Sequence, residues 1–336
     1  MSPFKKSIFF VLFLSTYSSH FSVHIYSGMK YAIIDLGSNT FHLLIVEKQE
    51  SNLLQLFKEQ LPTKIAKAGI NQGKITEEAT ERALTVLRLF RQHIDRHGVL
   101  LENVKAVGTS AIRNANNSDE FCQRIVQETG ISIEVISGTR EAELIYEGVR
   151  QGIELDEAPS LLMDIGGGSV EFIIGNATRI FWKQSFEIGG QRLLEKFVQT
   201  DPISPSAIQR MHNYFQEQLL PLVNAAHQYA PQTLVGSSGS FDTLVDMDFM
   251  HRLGQLPSPA QTSFELPLSE FYRAYDLLTT LSREERMAIP GMIELRVEMI
   301  VPGVVLIAHV IQSLQIKQMR STTYALKEGI MQWVLG

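Results

Sequence analysis

Tyr31-Ala-Ile-Ile-Asp35-Leu-Gly37-Ser38-Asn39-Thr40-Phe41-His-Leu-Leu-Ile-Val46 is an apolar run, an aspartate, a turn of small polar residues and a second apolar run. The two runs have strand length and the residues between them favour a tight turn, so the stretch reads as a hairpin with Asp35 at its lip. Leu161-Leu-Met-Asp164-Ile-Gly166-Gly167-Gly168-Ser169-Val170-Glu171-Phe-Ile-Ile174 repeats the order in the second half of the chain. Such a unit can hold phosphate. Glycine lets backbone N–H groups approach an anion, and the aspartate offers a hard oxygen to the magnesium that accompanies phosphate. One copy could be a structural hairpin whose aspartate caps its own turn. Two copies with matched flanks imply two related halves with a cleft between them.

The rest of the chain sets the bounds. Its 336 residues allow two domains, and 44% apolar with 20% charged residues excludes a largely disordered chain. The net charge of −6 argues against a broad nucleic-acid surface. Polyanions would have to be met by a metal ion or by a few placed cations. Cys122 is the only cysteine, so an intramolecular disulfide and a cysteine-built zinc site are both excluded. Lys5-Lys6 followed by Ile8–Leu14 has the basic and apolar parts of a signal peptide, but no clean cleavage site follows. The apolar run is too short to span a bilayer. The expectation is that residues 1–28 are an extension or a misassigned start before Met29, and that the protein is cytoplasmic with no stable membrane anchor; export is the rival.

Periodicity predicts strands over 31–47 and 53–59, a helix from Thr76 to His97, a strand at 104–107 and a helix from Asp119 to Thr129. It then predicts a strand at 131–136, a helix over 139–151 capped by Thr139, and a strand over 181–188. Helices dominate from Ser204. Thr233–Leu244 reads as a strand, a Gly/Ser loop and a helix start, a good anion site. Leu253–Leu268 reads as a loop, and a long apolar helix runs from Ile293 to about Leu314, kinked or broken at Pro302-Gly303.

Glu141 shares a helical face with Leu144, Ile145 and Gly148, whereas Glu143 groups with Glu147 and Arg150 on a solvated face. A carboxylate on an apolar stripe is costly unless it has a partner or a task. The bland alternative is complementation of the helix dipole in the first turn. Arg113 follows a strand and a Gly-Thr-Ser loop and could meet phosphate oxygens, or form a surface ion pair. Gly236, Ser237, Ser238 and Gly239 could hold a second phosphate or cap a helix. His42, inside a strand, reads as packed or exposed rather than catalytic, and Cys122 as core.

Together these residues resemble the exopolyphosphatase/guanosine pentaphosphate phosphatase (Ppx/GppA) family. The carrying motifs are Ala32–Leu43, Thr109-Ser-Ala-Ile-Arg113, Val135–Tyr146, Asp164–Glu171 and Gly236–Gly239. The resemblance runs from Tyr31 to about Ile307 and is weaker beyond. It implies an α/β fold of two ribonuclease-H-like domains, as in the actin/sugar-kinase/Hsp70 ATPase-like superfamily, with the active site in the interdomain cleft. The expected division is 29–150 and 151–336, with the last helix packing back on the first domain. The resemblance implies that Glu141 is the general base and Arg113 the phosphate-facing arginine. Asp164 and Glu171 would be the magnesium-site carboxylates. Asp35, Gly37, Ser38, Asn39 and Thr40 would form the first phosphate loop and Gly166, Gly167, Gly168 and Ser169 the second.

Two departures stand out. Arg296-Val-Glu298 replaces the usual Arg-Ala-Asp core, and Lys327 stands where arginine is commoner; both are expected to bear on oligomer contacts and chain-length preference. Longer members carry a C-terminal HD-like domain, and the expectation is a short form without it. The implied activity is magnesium-dependent release of terminal phosphate from polyphosphate or of the 5′-terminal phosphate from guanosine pentaphosphate. A homodimer is compatible with this reading. A kinase or ATPase of the same superfamily, which would bind adenine behind Gly236–Gly239, and a non-catalytic polyphosphate or alarmone sensor are the rivals.

Overall fold

A computed structural model describes residues 28–49 and 52–336. The expectation for residues 1–28 falls almost wholly outside the described residues. The first half builds a five-stranded sheet in the order β3-β2-β1-β4-β5. Its strands are β1 (Met29–Leu36), β2 (Thr40–Gln49), β3 (Asn52–Pro62), β4 (Val104–Gly108) and β5 (Ile133–Val135). The helices between them are α1 (Glu77–Arg96), the short α2 (Ser110–Arg113) and α3 (Ser118–Thr129), and α4 (Gly138–Gly152) follows β5. The second half has a six-stranded sheet. It uses β6 (Ser160–Ile165), β7 (Val170–Gly175), β8 (Ile180–Phe186), β9 (Thr233–Ser237), β10 (Ser263–Glu265) and β11 (Gln318–Thr322). Its helices are α5 (Gly190–Phe197), α6 (Pro205–Gln218), α7 (Leu220–Tyr229), α8 (Gly239–Leu253), α9 (Leu268–Thr280), α10 (Arg283–Met287), α11 (Ile300–Ser313) and α12 (Leu326–Leu335).

The sheets repeat one plan. β1–β2–β3 is an antiparallel meander, and β4 then β5 add in parallel beside β1. β6–β7–β8 is the same meander, and β9 then β11 add in parallel beside β6, with β10 as an extra antiparallel edge. This is a doubled ribonuclease-H-like fold. α4 follows the fifth strand of the first set and α12 follows its counterpart, so the two helices are topological equivalents. They lie against each other between the sheets. Their core joins Ile33 and Val107 of one sheet to Leu162, Ile173 and Val235 of the other through Ile145, Val149, Leu326 and Ile330.

Two glycines permit that crossing. A Cβ on Gly148 would sit 1.9 Å from Ala325 O, and one on Gly329 would sit 1.8 Å from Leu144 O. The backbones of α4 and α12 therefore touch, which draws both helix starts toward the same space.

Local differences from the sequence reading have simple causes. Ser137, not Thr139, caps α4 by accepting from Arg140 N. The helix expected from Ile293 begins only at Ile300, and Pro302 lies in its first turn, where a missing N–H breaks no bond. Pro302 thus marks a start rather than a kink. β10 lies in the segment read as a loop; at three residues it is too short to show alternation. α5, with Gly190 at its first position, showed no cap signal.

Candidate active site

A cavity of about 270 Å³ opens between the halves. The two aspartate turns form its floor, and each closes with the same bond: Gly37 N donates to Thr40 O (3.1 Å), and Gly166 N donates to Ser169 O (3.0 Å). They approach each other closely. A Cβ on Gly168 would collide with the Oγ atoms of Ser110 and Ser38, so only glycine fits beside the first-half loops. Ser38 Oγ also accepts from Ala111 N (3.2 Å), which ties the first turn to the start of α2.

Most of the sequence candidates meet here. Asp35, Gly37, Ser38, Asn39, Thr40, Glu141, Asp164, Gly166, Gly167, Gly168, Ser169, Ser238 and Gly239 line the cavity. Four lie behind the wall. Gly236 passes under the Phe241 ring. Ser237 donates to Asp164 Oδ2 (2.6 Å). Glu171, almost wholly buried, accepts from Ser169 Oγ (2.7 Å) and Ser185 Oγ (2.6 Å). Arg113 binds the catalytic candidate instead of facing the cavity: its Nη1 donates to Glu141 Oε2 (2.7 Å) and to Ile136 O (3.3 Å). The expected phosphate-facing arginine is therefore a carboxylate-holding arginine in this arrangement, because two glutamates, Glu141 and Glu187, compete for it.

The electrostatics are uneven. Burial raises Glu141 to about 7 even though Arg113 pulls it down, so it can take a proton near neutral pH. Burial raises Asp35 to about 8, with Glu141 and Asp164 adding to the rise. Its Oδ1 is buried and has no hydrogen-bond partner, and Thr40 Oγ1 and Asn39 Nδ2 beside it are also unpartnered. Burial raises Asp164 as well, but the Ser237 and Ser238 hydroxyls oppose it. Ser238 Oγ lies 2.8 and 2.7 Å from the two Asp164 oxygens. Ser238 holds φ 69° and ψ 175°, a region otherwise left to glycine, so its contacts to Asp164 are made from a strained backbone. Burial also raises Glu171 well above its ordinary value, and Glu141 adds to the effect.

Sequence reasoning missed the cations. Lys58 of β3, Arg296 and Lys327 line the same cavity as the acidic turns. The Arg296 guanidinium lies on Gly239 at the start of α8, where a Cβ would be 1.9 Å from its Cζ. Burial opposes charge on Lys327, but Glu328, Asp242 and Asp35 outweigh it and hold the ammonium above the ordinary lysine range. Lys327 Nζ is 3.0 Å from Glu328 Oε1. Of the two departures expected to bear on oligomer contacts and chain length, Lys327 is a wall residue of the cavity. In the other, only the unchanged Arg296 lines it; Val297 lies in the core and Glu298 is exposed beside Arg283. His42, read as packed or exposed, also lines it; burial, Lys327 and Arg296 lower it to about 3, so it is neutral.

A family model for the Ppx/GppA phosphatase family matches residues 44–335. A curated relative from Haemophilus influenzae, named provisionally as an exopolyphosphatase, is 28% identical over 300 residues, covering 89% of this chain and 90% of that one. The crystal structure of an exopolyphosphatase from Cytophaga hutchinsonii is 46% identical with a TM-score of 0.88, over 91% of this chain and 98% of that one. The Aquifex aeolicus Ppx/GppA enzyme is 25% identical with a TM-score of 0.73, over 92% and 99%. The motifs, the doubled fold and these likenesses agree: the chain belongs to the Ppx/GppA phosphatase family and, with it, to the phosphoanhydride hydrolases.

Proposed function

We propose that this protein is a magnesium-dependent phosphohydrolase that releases terminal phosphate from inorganic polyphosphate, with the 5′-terminal phosphate of guanosine pentaphosphate as its second substrate class. One observation carries the reading: a carboxylate poised near neutral pH, Glu141, shares a cavity with two aspartate-bearing anion turns and three lysine or arginine side chains. A binding module has no use for such a base.

In this reading Glu141 takes a proton from water as the water oxygen bonds to the terminal phosphorus. The bond from phosphorus to the bridging oxygen breaks, and the electron pair leaves with the shortened chain. Arg113 fixes the Glu141 carboxylate through Nη1. The N–H groups of the two turns and the start of α8 bind the terminal phosphate, where charge develops. Lys58, Arg296 and Lys327 hold the phosphates that follow.

The donor set suits magnesium. Asp164 presents a hard carboxylate already oriented by two hydroxyls. Magnesium prefers such sites, where one or two carboxylates leave room for water and phosphate oxygens. Asp164 would hold the ion, and Glu171 would steady the turn beside it by accepting from Ser169 Oγ. When bound, magnesium neutralises phosphate charge. Asp35, protonated near neutral pH, can donate a hydrogen bond to a phosphate oxygen. No helix among the described residues is long and apolar enough to cross a membrane. Such phosphorylated substrates fit a cytoplasmic enzyme.

The test is phosphate release from purified protein with polyphosphate and guanosine pentaphosphate side by side, with and without magnesium. Release that requires magnesium supports the reading. Saturable binding without release points to a sensor, and transfer from ATP to an acceptor points to a kinase.

A further inference from the structure

Glu187 has no part in the reaction as derived, yet it stands where three functional segments meet. It follows β8 at the edge of the second half and reaches across to α2 of the first. Its Oε1 accepts from Arg113 Nη2 (3.3 Å). Its Oε2 accepts from Ser110 Oγ (2.7 Å) and from Arg192 Nη2 (3.1 Å). Arg113 uses its other nitrogen on Glu141. Arg192 in turn donates to Gly168 O (2.8 Å) in the second anion turn and to Ile70 O (2.9 Å) in the first half. One carboxylate thus joins the arginine of the base to the arginine of the glycine turn, across the boundary between the halves.

The Glu187 side chain is 42% exposed, against 16% for Arg113 and 14% for Arg192. Ion pairs with so wet a partner contribute little to stability. What they supply here is orientation. An arginine gripped at both ends of its planar fork cannot swing, whereas one held only by Glu141 and the Ile136 carbonyl can.

We infer that Glu187 is a positioning residue: it fixes Arg113 against Glu141 and ties that pair to the 166–169 turn across the boundary between the halves. The inference rests on the phosphohydrolase reading only where turnover is the readout. Glu195 makes a separate contact across the same boundary, accepting from Ala68 N (2.9 Å) and Asn71 Nδ2 (3.3 Å), with no link to Arg113. It therefore serves as an internal control.

The experiment is a double-mutant cycle of Glu187→Gln and Arg113→Met, with Glu195→Gln alongside, read by steady-state kinetics on polyphosphate and by peptide-level hydrogen exchange over residues 108–116. Glu187→Gln should lower kcat about tenfold with KM changed by less than about twofold, and should lose that effect in the Arg113→Met background. Exchange over 108–116 should quicken several-fold in Glu187→Gln, while Glu195→Gln leaves both kcat and that exchange unchanged. A kcat loss of the same size with and without Arg113 would overturn the inference, as would unchanged exchange. If the wild type releases no phosphate, the functional reading fails, and the exchange result alone upholds or sinks the role of Glu187.

Discussion

The two halves are built on one plan and differ in what surrounds their equivalent functional positions. Asp35 and Asp164 occupy the same place at the ends of β1 and β6. Across the hairpin, Asp35 faces His42 in register, while Asp164 faces Glu171. The last residue of β9 and the one after it turn two serine hydroxyls onto Asp164. The loop after β4 does not do this for Asp35: Thr109 Oγ1 donates to Leu36 O and Ser110 Oγ to Glu187. The crossover helices differ too. α4 brings a carboxylate, Glu141, to the cavity from its first turn, and α12 brings an ammonium, Lys327. One frame is thus repeated, and its two crossover helices carry opposite charges to the cavity; in the proposed reading the α4 carboxylate serves proton transfer and the α12 ammonium serves phosphate binding.

The largest effect should come from neutralising, one at a time, the ionising groups of the two crossover helices. Glu141→Gln should lower kcat by about 10³-fold, within the range for loss of a general base, with substrate affinity and circular dichroism kept. Lys327→Gln should raise KM about tenfold or more, as for a lost charge-assisted hydrogen bond, and spare most of kcat. With Glu141 at about 7, kcat should fall as pH drops through neutrality, because the base must be unprotonated to act. That limb should vanish from the residual rate of Glu141→Gln. A kcat loss in Lys327→Gln matching that of Glu141→Gln would erase the division of labour between α4 and α12.

Next comes the aspartate pair. Asp164→Asn should shift the magnesium needed for half-maximal rate about 100-fold upward, since it removes the carboxylate that would ligate the ion. Asp35→Asn should shift it less than about tenfold, because an amide resembles the protonated acid expected there near neutral pH. Magnesium titrations of both variants decide the matter. Equal shifts would mean that the two turns act as a symmetric ligand pair.

The same comparison shows what sequence can and cannot reveal. Both hairpins and Glu141 were legible because their signals are local: a turn between two apolar runs, and a carboxylate on an apolar helical face. Lys327 was open to the same argument. It shares a face with Ile330 and Val334 at spacings of three and seven, but the segment was read only as a family motif. Lys58 and Arg296 carry no such signal. They reach the cavity from β3 and from the turn before α11, and only the tertiary arrangement brings those segments together. Arg113 was found, but its partner was not, since Glu187 lies 74 residues away on the other half.

The crossing of α4 on α12 sets where Glu141 and Lys327 stand, and it rests on glycine. Gly148→Ala would drive a methyl into the Ala325 carbonyl, so the helices must separate. A loss of about 1–3 kcal/mol is expected from overpacking, read as a lower Tm in calorimetry. Both kcat and KM should worsen, since both helix starts move. A variant with lowered Tm but wild-type kinetics would show that the site tolerates a wider crossing.

The smallest effect should come from Ser238, whose hydroxyl makes Asp164 unlike Asp35. Ser238→Ala and Ser238→Gly delete the same hydroxyl, so each should raise the magnesium requirement by a similar few-fold factor. Their stabilities should part. Alanine keeps a Cβ at φ 69° and ψ 175°, whereas glycine adopts that backbone without strain, which is worth ~1–3 kcal/mol. Ser238→Gly should thus melt above Ser238→Ala by calorimetry while titrating like it. If the alanine variant needed no more magnesium than wild type, the hydroxyl would not be what distinguishes the second aspartate from the first, and the asymmetry of the two turns would have to come from Glu171 facing one and His42 the other.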